Sequence, residues 1–180
     1  MLVLGIDPGS VNTAIAWIRG DDKDILKSSF RSAATFNIRN SGTMTLRWAR
    51  LGGKLDNAMK NFLPEPPVTI AVEEPIRERC TNPINLKEQH VLYGSYAIVV
   101  STIARLFPES TLMPIRYMSW AGGITKGDVQ ARLSAKYRRE TFRTEDEVDA
   151  LGIADFAWGI VAPRRRRELE LGGKVVNPSP

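Results

Sequence analysis

Residues 2–9 read Leu-Val-Leu-Gly-Ile-Asp-Pro-Gly, an apolar run that ends in Asp7 and is stopped by Pro8 and Gly9. A short Val/Leu/Ile run bounded by turn residues predicts a buried strand. Asp7 then sits at the end of a core strand, where an ionised carboxylate is costly unless a cation or hydrogen-bond donors meet it. Taken alone, Asp7 is as well explained by backbone donors of the Pro-Gly turn as by a functional site. Two distant segments change that balance. Val68-Thr-Ile-Ala-Val72 is a second apolar strand that runs into Glu73, and a late segment carries Asp146 and Asp149 one helical turn apart. Three separated segments each bring acid to an apolar context, which is how a divalent-cation site is usually assembled.

The 180 residues suit one domain able to bury its own core without staples. A formal charge of +5 with 43% apolar residues describes a globular protein with a basic bias, suited to a polyanionic substrate. With one cysteine, Cys80, and one histidine, His90, the chain can form no internal disulfide and no all-Cys/His zinc site. A Cys80 and His90 catalytic pair is formally open, but a lone cysteine is more often an inert thiol. No apolar run reaches the roughly 18 residues of a membrane span, and no leader pattern opens the chain, so a cytoplasmic protein with no membrane partner is expected.

Outward from the first strand, Thr13–Ile18 predicts a second strand, and the Gly20-Asp-Asp22 turn leads to a third near Ile25 to Phe30, making an antiparallel meander. Helical spacing of Trp48, Leu51, Leu55, Ala58, Met59 and Phe62 predicts a helix over 43–63, despite Gly52 and Gly53. A long helix over 85–107 is apolar on nearly every side around residues 93–100, so either a central core position or a second subunit must cover it. Leu112 to Met118 reads as a fifth strand. Gly122 and Gly123 precede a helix capped by Thr125, and the last helix starts near Thr144. From Pro163 on, the charged run Arg164–Arg167 and the Gly- and Pro-containing end predict a basic, flexible tail over 163–180 behind a domain at 1–162. The whole is an α/β fold, a five-stranded mixed sheet flanked by helices.

Asp146 and Asp149 project to about the same side of their helix. A bare pair of acids there usually just complements the helix dipole. The longer string Asp146-Glu-Val-Asp-Ala-Leu-Gly-Ile-Ala154, with Gly5-Ile-Asp-Pro-Gly-Ser10 and Ala71-Val-Glu-Glu-Pro75, resembles the RuvC family of Holliday-junction resolvases within the RNase H-like nuclease superfamily. Lys126-Gly-Asp-Val-Gln130 resembles the family's Lys-x-x-Val-Gln helix start, and residues 92–100 resemble its long central helix, which packs across a dimer. The resemblance runs in order over residues 1 to about 160.

Carried over residue by residue, it implies an RNase H-like fold, a catalytic, metal-holding tetrad of Asp7, Glu73, Asp146 and Asp149, and Lys126 beside the scissile phosphate. Glu74 is the nearest rival to Glu73, and strand alternation points the two to opposite faces. Asp155, six positions after Asp149, turns away from the site. The resemblance further implies four-way junction DNA as substrate, 5′-phosphate and 3′-hydroxyl products, and a homodimer through the 85–107 helix. Hard oxygen donors suit Mg²⁺, two ions per site, with Mn²⁺ able to substitute and no small-molecule cofactor. Two departures stand out. Pro75, Ile76 and Arg77 occupy the place of the family's junction-wedging aromatic, and 118–123 lacks its second lysine. Three other readings stay open: an actin-like or sugar-kinase ATPase, a junction-binding module without cleavage, and a related nuclease for flaps or RNA–DNA hybrids.

Overall fold

Alternation along the first strand divides the molecule into two cores. In the computed structural model, which describes residues 1–9, 11–20, 28–37, 42–75, 83–138 and 142–171, strand β1 spans Leu2–Asp7. Its even residues Leu2, Leu4 and Ile6 join one apolar cluster, while Val3 joins another on the opposite face. Strand β2 (Asn12–Gly20) pairs antiparallel with β1, and β3 (Ser28–Asn37) pairs antiparallel with β2. Strands β4 (Thr69–Glu73) and β5 (Thr111–Ile115) continue in parallel on the other side, in the order β3-β2-β1-β4-β5. The predicted five-stranded mixed sheet and its meander are therefore present, with β1 at the centre.

The large-residue face is covered by α1 (Met44–Phe62) and α2 (Pro83–Leu106). Leu51, Leu55, Ala58 and Met59 of α1 and Val99 and Ile103 of α2 are buried there with Ile15, Trp17, Ile70 and Val72. Phe62, placed on the same helical face by its spacing, is exposed at the last turn. The other face is paved with small side chains, Ala14, Ala16 and Ala71. This lets a long helix, α5 (Glu145–Glu170), lie close against it through Ala150, Ala154 and Ala157. The approach is closest at Gly5, where an added Cβ would overlap the Ala150 carbonyl oxygen and come within 2.5 Å of the Ala154 nitrogen. A short α3 (Tyr117–Ala121) and α4 (Lys126–Tyr137) complete that side.

Several boundaries differ from expectation. The third strand begins at Ser28 and runs to Asn37, because pairing with β2 outweighs the weak strand preference of its serines and alanines; residues 21–27 lie outside the described residues. The fifth strand ends at Ile115, and Met118 belongs to α3. The expected flexible tail is corrected over 163–170. Pro163 lies inside α5, and Arg164, Arg165 and Arg166 pair with Glu168 and Glu170 three or four positions on, prolonging the helix. Residues 172–180 lie outside the described residues. The indole of Trp48 on α1 packs directly against Gly94 of α2, filling the space beside it.

Candidate active site

The parallel pairing of β1 and β4 sets Ile6 beside Val72, so that Asp7 and Glu73, one residue further on, end adjacent strands on the small-residue face. Helix α5 brings Asp146 and Asp149 to the same end of the sheet. Its first turn is fixed by Thr144, whose hydroxyl accepts from the Glu147 N–H at 3.2 Å, while the Glu147 carboxylate accepts from the Arg143 N–H at 3.1 Å. A 3.0 Å contact between the Thr144 and Thr35 hydroxyls ties that turn to β3. Lys126 enters at the start of α4, behind the Thr125 cap. All five residues predicted from sequence are thus drawn into one electrostatic cluster. Burial, followed by the fields of Glu73, Asp149 and Asp146, pushes the Asp7 carboxyl up to about 8, against the pull of Lys126.

Among the described residues, three of the four acids have a donor of their own. Lys126 Nζ donates to Asp149 at 2.8 Å, which raises the lysine above its ordinary value, while burial still leaves Asp149 above the ordinary carboxylate range. The indole N–H of Trp120 donates to Glu73 at 2.8 Å and offsets part of the upward shift that burial imposes there. The amide of Asn12 donates to Asp146 at 3.0 Å and is itself oriented by Asn37, which donates to its oxygen at 2.8 Å. Trp120 and Asn12 escaped the sequence reading. Neither titrates, and each reaches its acid across 47 and 134 positions of chain respectively, so no local pattern announces the contact.

The rivals fall where alternation puts them. Glu74 points to the opposite side, where its charge helps burial to raise the Tyr96 hydroxyl. Asp155 is held by Lys136 and Tyr137 away from the cluster. Ile76 and Arg77 lie outside the described residues.

Among the described residues, no three acid, His or Cys side chains close into an ion-binding shell. The chemistry of the donors nevertheless fits a hard divalent cation. Four carboxylates share one lysine, and burial together with the charge of the other three acids drives Asp7 towards its neutral form. A direct consequence concerns the protein without divalent ions. An acid whose folded pKa lies above its unfolded value stabilises the fold below the unfolded pKa, and that contribution fades as pH rises to the folded one. With 3.8 as the ordinary value and about 8 in the fold, the urea midpoint in EDTA should fall steadily from pH 5 to pH 8. The slope should be at most about 1.4 kcal/mol per pH unit for this group, and Asp7→Asn should flatten it.

With acidic ends on two central strands and an acid-bearing helix across the small-residue face, the chain has the fold of the RuvC Holliday junction resolvases. The structure of Thermus thermophilus RuvC in complex with a Holliday junction substrate matches with a TM-score of 0.71 at 17% identity, over 89% of this chain and 96% of that one. The yeast mitochondrial Holliday junction resolvase Ydc2 matches at 0.58 and 15% identity, over 94% and 83%. The fowlpox virus resolvase bound to junction DNA matches at 0.53 and 14%, over 89% and 99%. No protein-family model and no curated protein sequence matches the chain. No helix among the described residues is long and apolar enough to cross a membrane.

Proposed function

We propose that this chain is a structure-selective endonuclease that resolves four-way DNA junctions by divalent-metal-dependent phosphodiester hydrolysis, leaving 5′-phosphate and 3′-hydroxyl ends. The observation that supports the reading is the electrostatic coupling of Asp7 to Glu73, Asp149, Asp146 and Lys126, on a fold shared with resolvases. In this reading the four carboxylates hold Mg²⁺, two ions per site, for which Mn²⁺ can substitute. When bound, the ions supply an activated water and offset charge on the leaving oxygen. The chain's own residues do the rest. Asp7, Glu73, Asp146 and Asp149 would hold the ions, and Lys126 would meet the non-bridging phosphate oxygens once its ammonium leaves Asp149. Junction binding draws on the basic surface and weakens steeply with salt.

Resolution into two duplexes takes two cuts, and each chain carries acids for one site, so the working unit is proposed to be a symmetric homodimer through helix 85–107. Support comes from Tyr93, Tyr96, Ile98 and Val100, which remain only half-buried in the single chain. The test offers labelled four-way junction, linear duplex, 5′ flap and RNA–DNA hybrid to the protein in Mg²⁺ and in EDTA, with sedimentation of the free and junction-bound forms. Paired nicks in the junction, only with Mg²⁺ and from a dimer, are expected. Preferred cutting of the flap or hybrid would replace the substrate class, and binding without cutting would leave a junction-binding module. A monomer in both states would remove the dimer.

A further inference from the structure

Trp120 stands at the joint between the two halves of the acidic cluster. It is 3% exposed, on a helix of five residues, with Tyr117 packed edge-on against it at 5.2 Å between ring centroids. Its indole N–H donates to Glu73 on β4 at 2.8 Å. Its six-membered ring lies flush on Gly152 of α5, where an added Cβ would come within 2.5 Å of Cζ3 and 2.6 Å of Cε3. Gly152 is one helical turn beyond Asp149, so one rigid ring touches both the strand that carries Glu73 and the helix that carries Asp146 and Asp149. A rigid body locked between two elements fixes their spacing, and its polar edge fixes one carboxylate rotamer.

We infer that Trp120 is a positioning residue that holds the Glu73 carboxylate and spaces it from the α5 acids for divalent-cation binding. This deepens the proposed function and rests on it. A hydrogen bond to one carboxylate oxygen leaves the other oriented for the ion and keeps Glu73 from swinging towards solvent, and removing such a supporting partner typically costs 10–100-fold in metal affinity or activity. The close seat on Gly152 adds a second, independent requirement, since a larger residue there would lift the ring and its N–H together.

The test measures Mn²⁺ affinity by calorimetry on the whole chain, beside thermal melting, junction affinity in Ca²⁺ and the Mg²⁺ dependence of cleavage. Trp120→Phe keeps a ring on Gly152 and removes the donor. It should weaken Mn²⁺ binding and raise the half-saturating Mg²⁺ by roughly 10-fold or more, with junction affinity unchanged and cleavage recovering towards wild type at high Mg²⁺. Unchanged Mn²⁺ affinity and Mg²⁺ dependence would overturn the inference. Glu73→Gln separates the two levels. If it leaves Mn²⁺ binding intact, the site assignment fails and the role of Trp120 with it; if it weakens Mn²⁺ binding while Trp120→Phe does not, only the positioning role fails. Should Trp120→Phe not fold, the ¹⁵N-labelled wild type decides. One of its four indole N–H resonances should move on Glu73→Gln and again on Mg²⁺ addition, and four unmoved resonances would overturn the inference.

Discussion

Asp7→Asn should abolish junction cleavage while leaving junction binding intact or tighter. Asparagine keeps the shape of the side chain and removes the charge that β1 delivers to the centre of the cluster. It therefore takes away a proposed metal ligand and lowers the repulsion that an incoming phosphate meets. The loss should be roughly a thousandfold or more, the scale seen when a group that stabilises the transition state is removed. Folding should move the opposite way. Asp7 is the acid pushed furthest from its ordinary value, to about 8, so its neutral replacement should raise the melting temperature at pH 8 in EDTA. Cleavage by the variant at the wild-type rate in Mg²⁺ would remove Asp7 from the site, and a lowered melting temperature would contradict the electrostatic origin of its shift.

The second large effect lies two residues earlier. Gly5 faces α5, and a Cβ there would strike main-chain atoms, the Ala150 carbonyl and the Ala154 nitrogen, which cannot rotate aside. Gly5→Val should therefore cost at or above the top of the roughly 1–3 kcal/mol usual for overpacking, read as a lower urea midpoint or an insoluble chain. Gly5→Ala is the informative milder variant. It should fold less stably and cleave poorly, because lifting α5 carries Asp146 and Asp149 away from Asp7. Normal melting and normal cleavage by Gly5→Ala would show that the helix can retreat without moving the acids.

The residues that carry charge were legible in the sequence, and those that set distances were not. Asp7, Glu73, Asp146 and Asp149 each stand in a local pattern, an apolar run ending in acid or a helix turn, and Lys126 entered through the family resemblance. Strand parity puts Glu73 and Glu74 on opposite faces, and the family pattern of small, apolar, then Glu chose Glu73. Trp120, Asn12, Gly5 and Gly152 act only through partners far along the chain. A tryptophan before a Gly-Gly break and a glycine within a strand have many local explanations, so tertiary contact had to reveal theirs. The continuation of the third strand beyond Phe30 to Asn37 was missed for the same cause, since the partner strand supplies what Ala33-Ala34 lack in preference. The helical extension past Pro163 was legible in principle through the spacing of Arg164 and Arg166 from Glu168 and Glu170. The proline and the run of four arginines, read as a stop and a solvated tail, outweighed it.

The place of β1 in the sheet has a consequence for hydrogen exchange. A strand paired on both sides and covered on both faces opens only with the whole molecule. The main-chain amides of Ile6 and Val72, next to two of the acids, should therefore exchange at the rate of global unfolding. Lys126 sits on α4, which buries only Val129 and Leu133, and such a helix opens locally at much lower free energy. The cluster thus joins an anionic half as durable as the fold to a cationic half that can detach and return many times within one lifetime of the folded state.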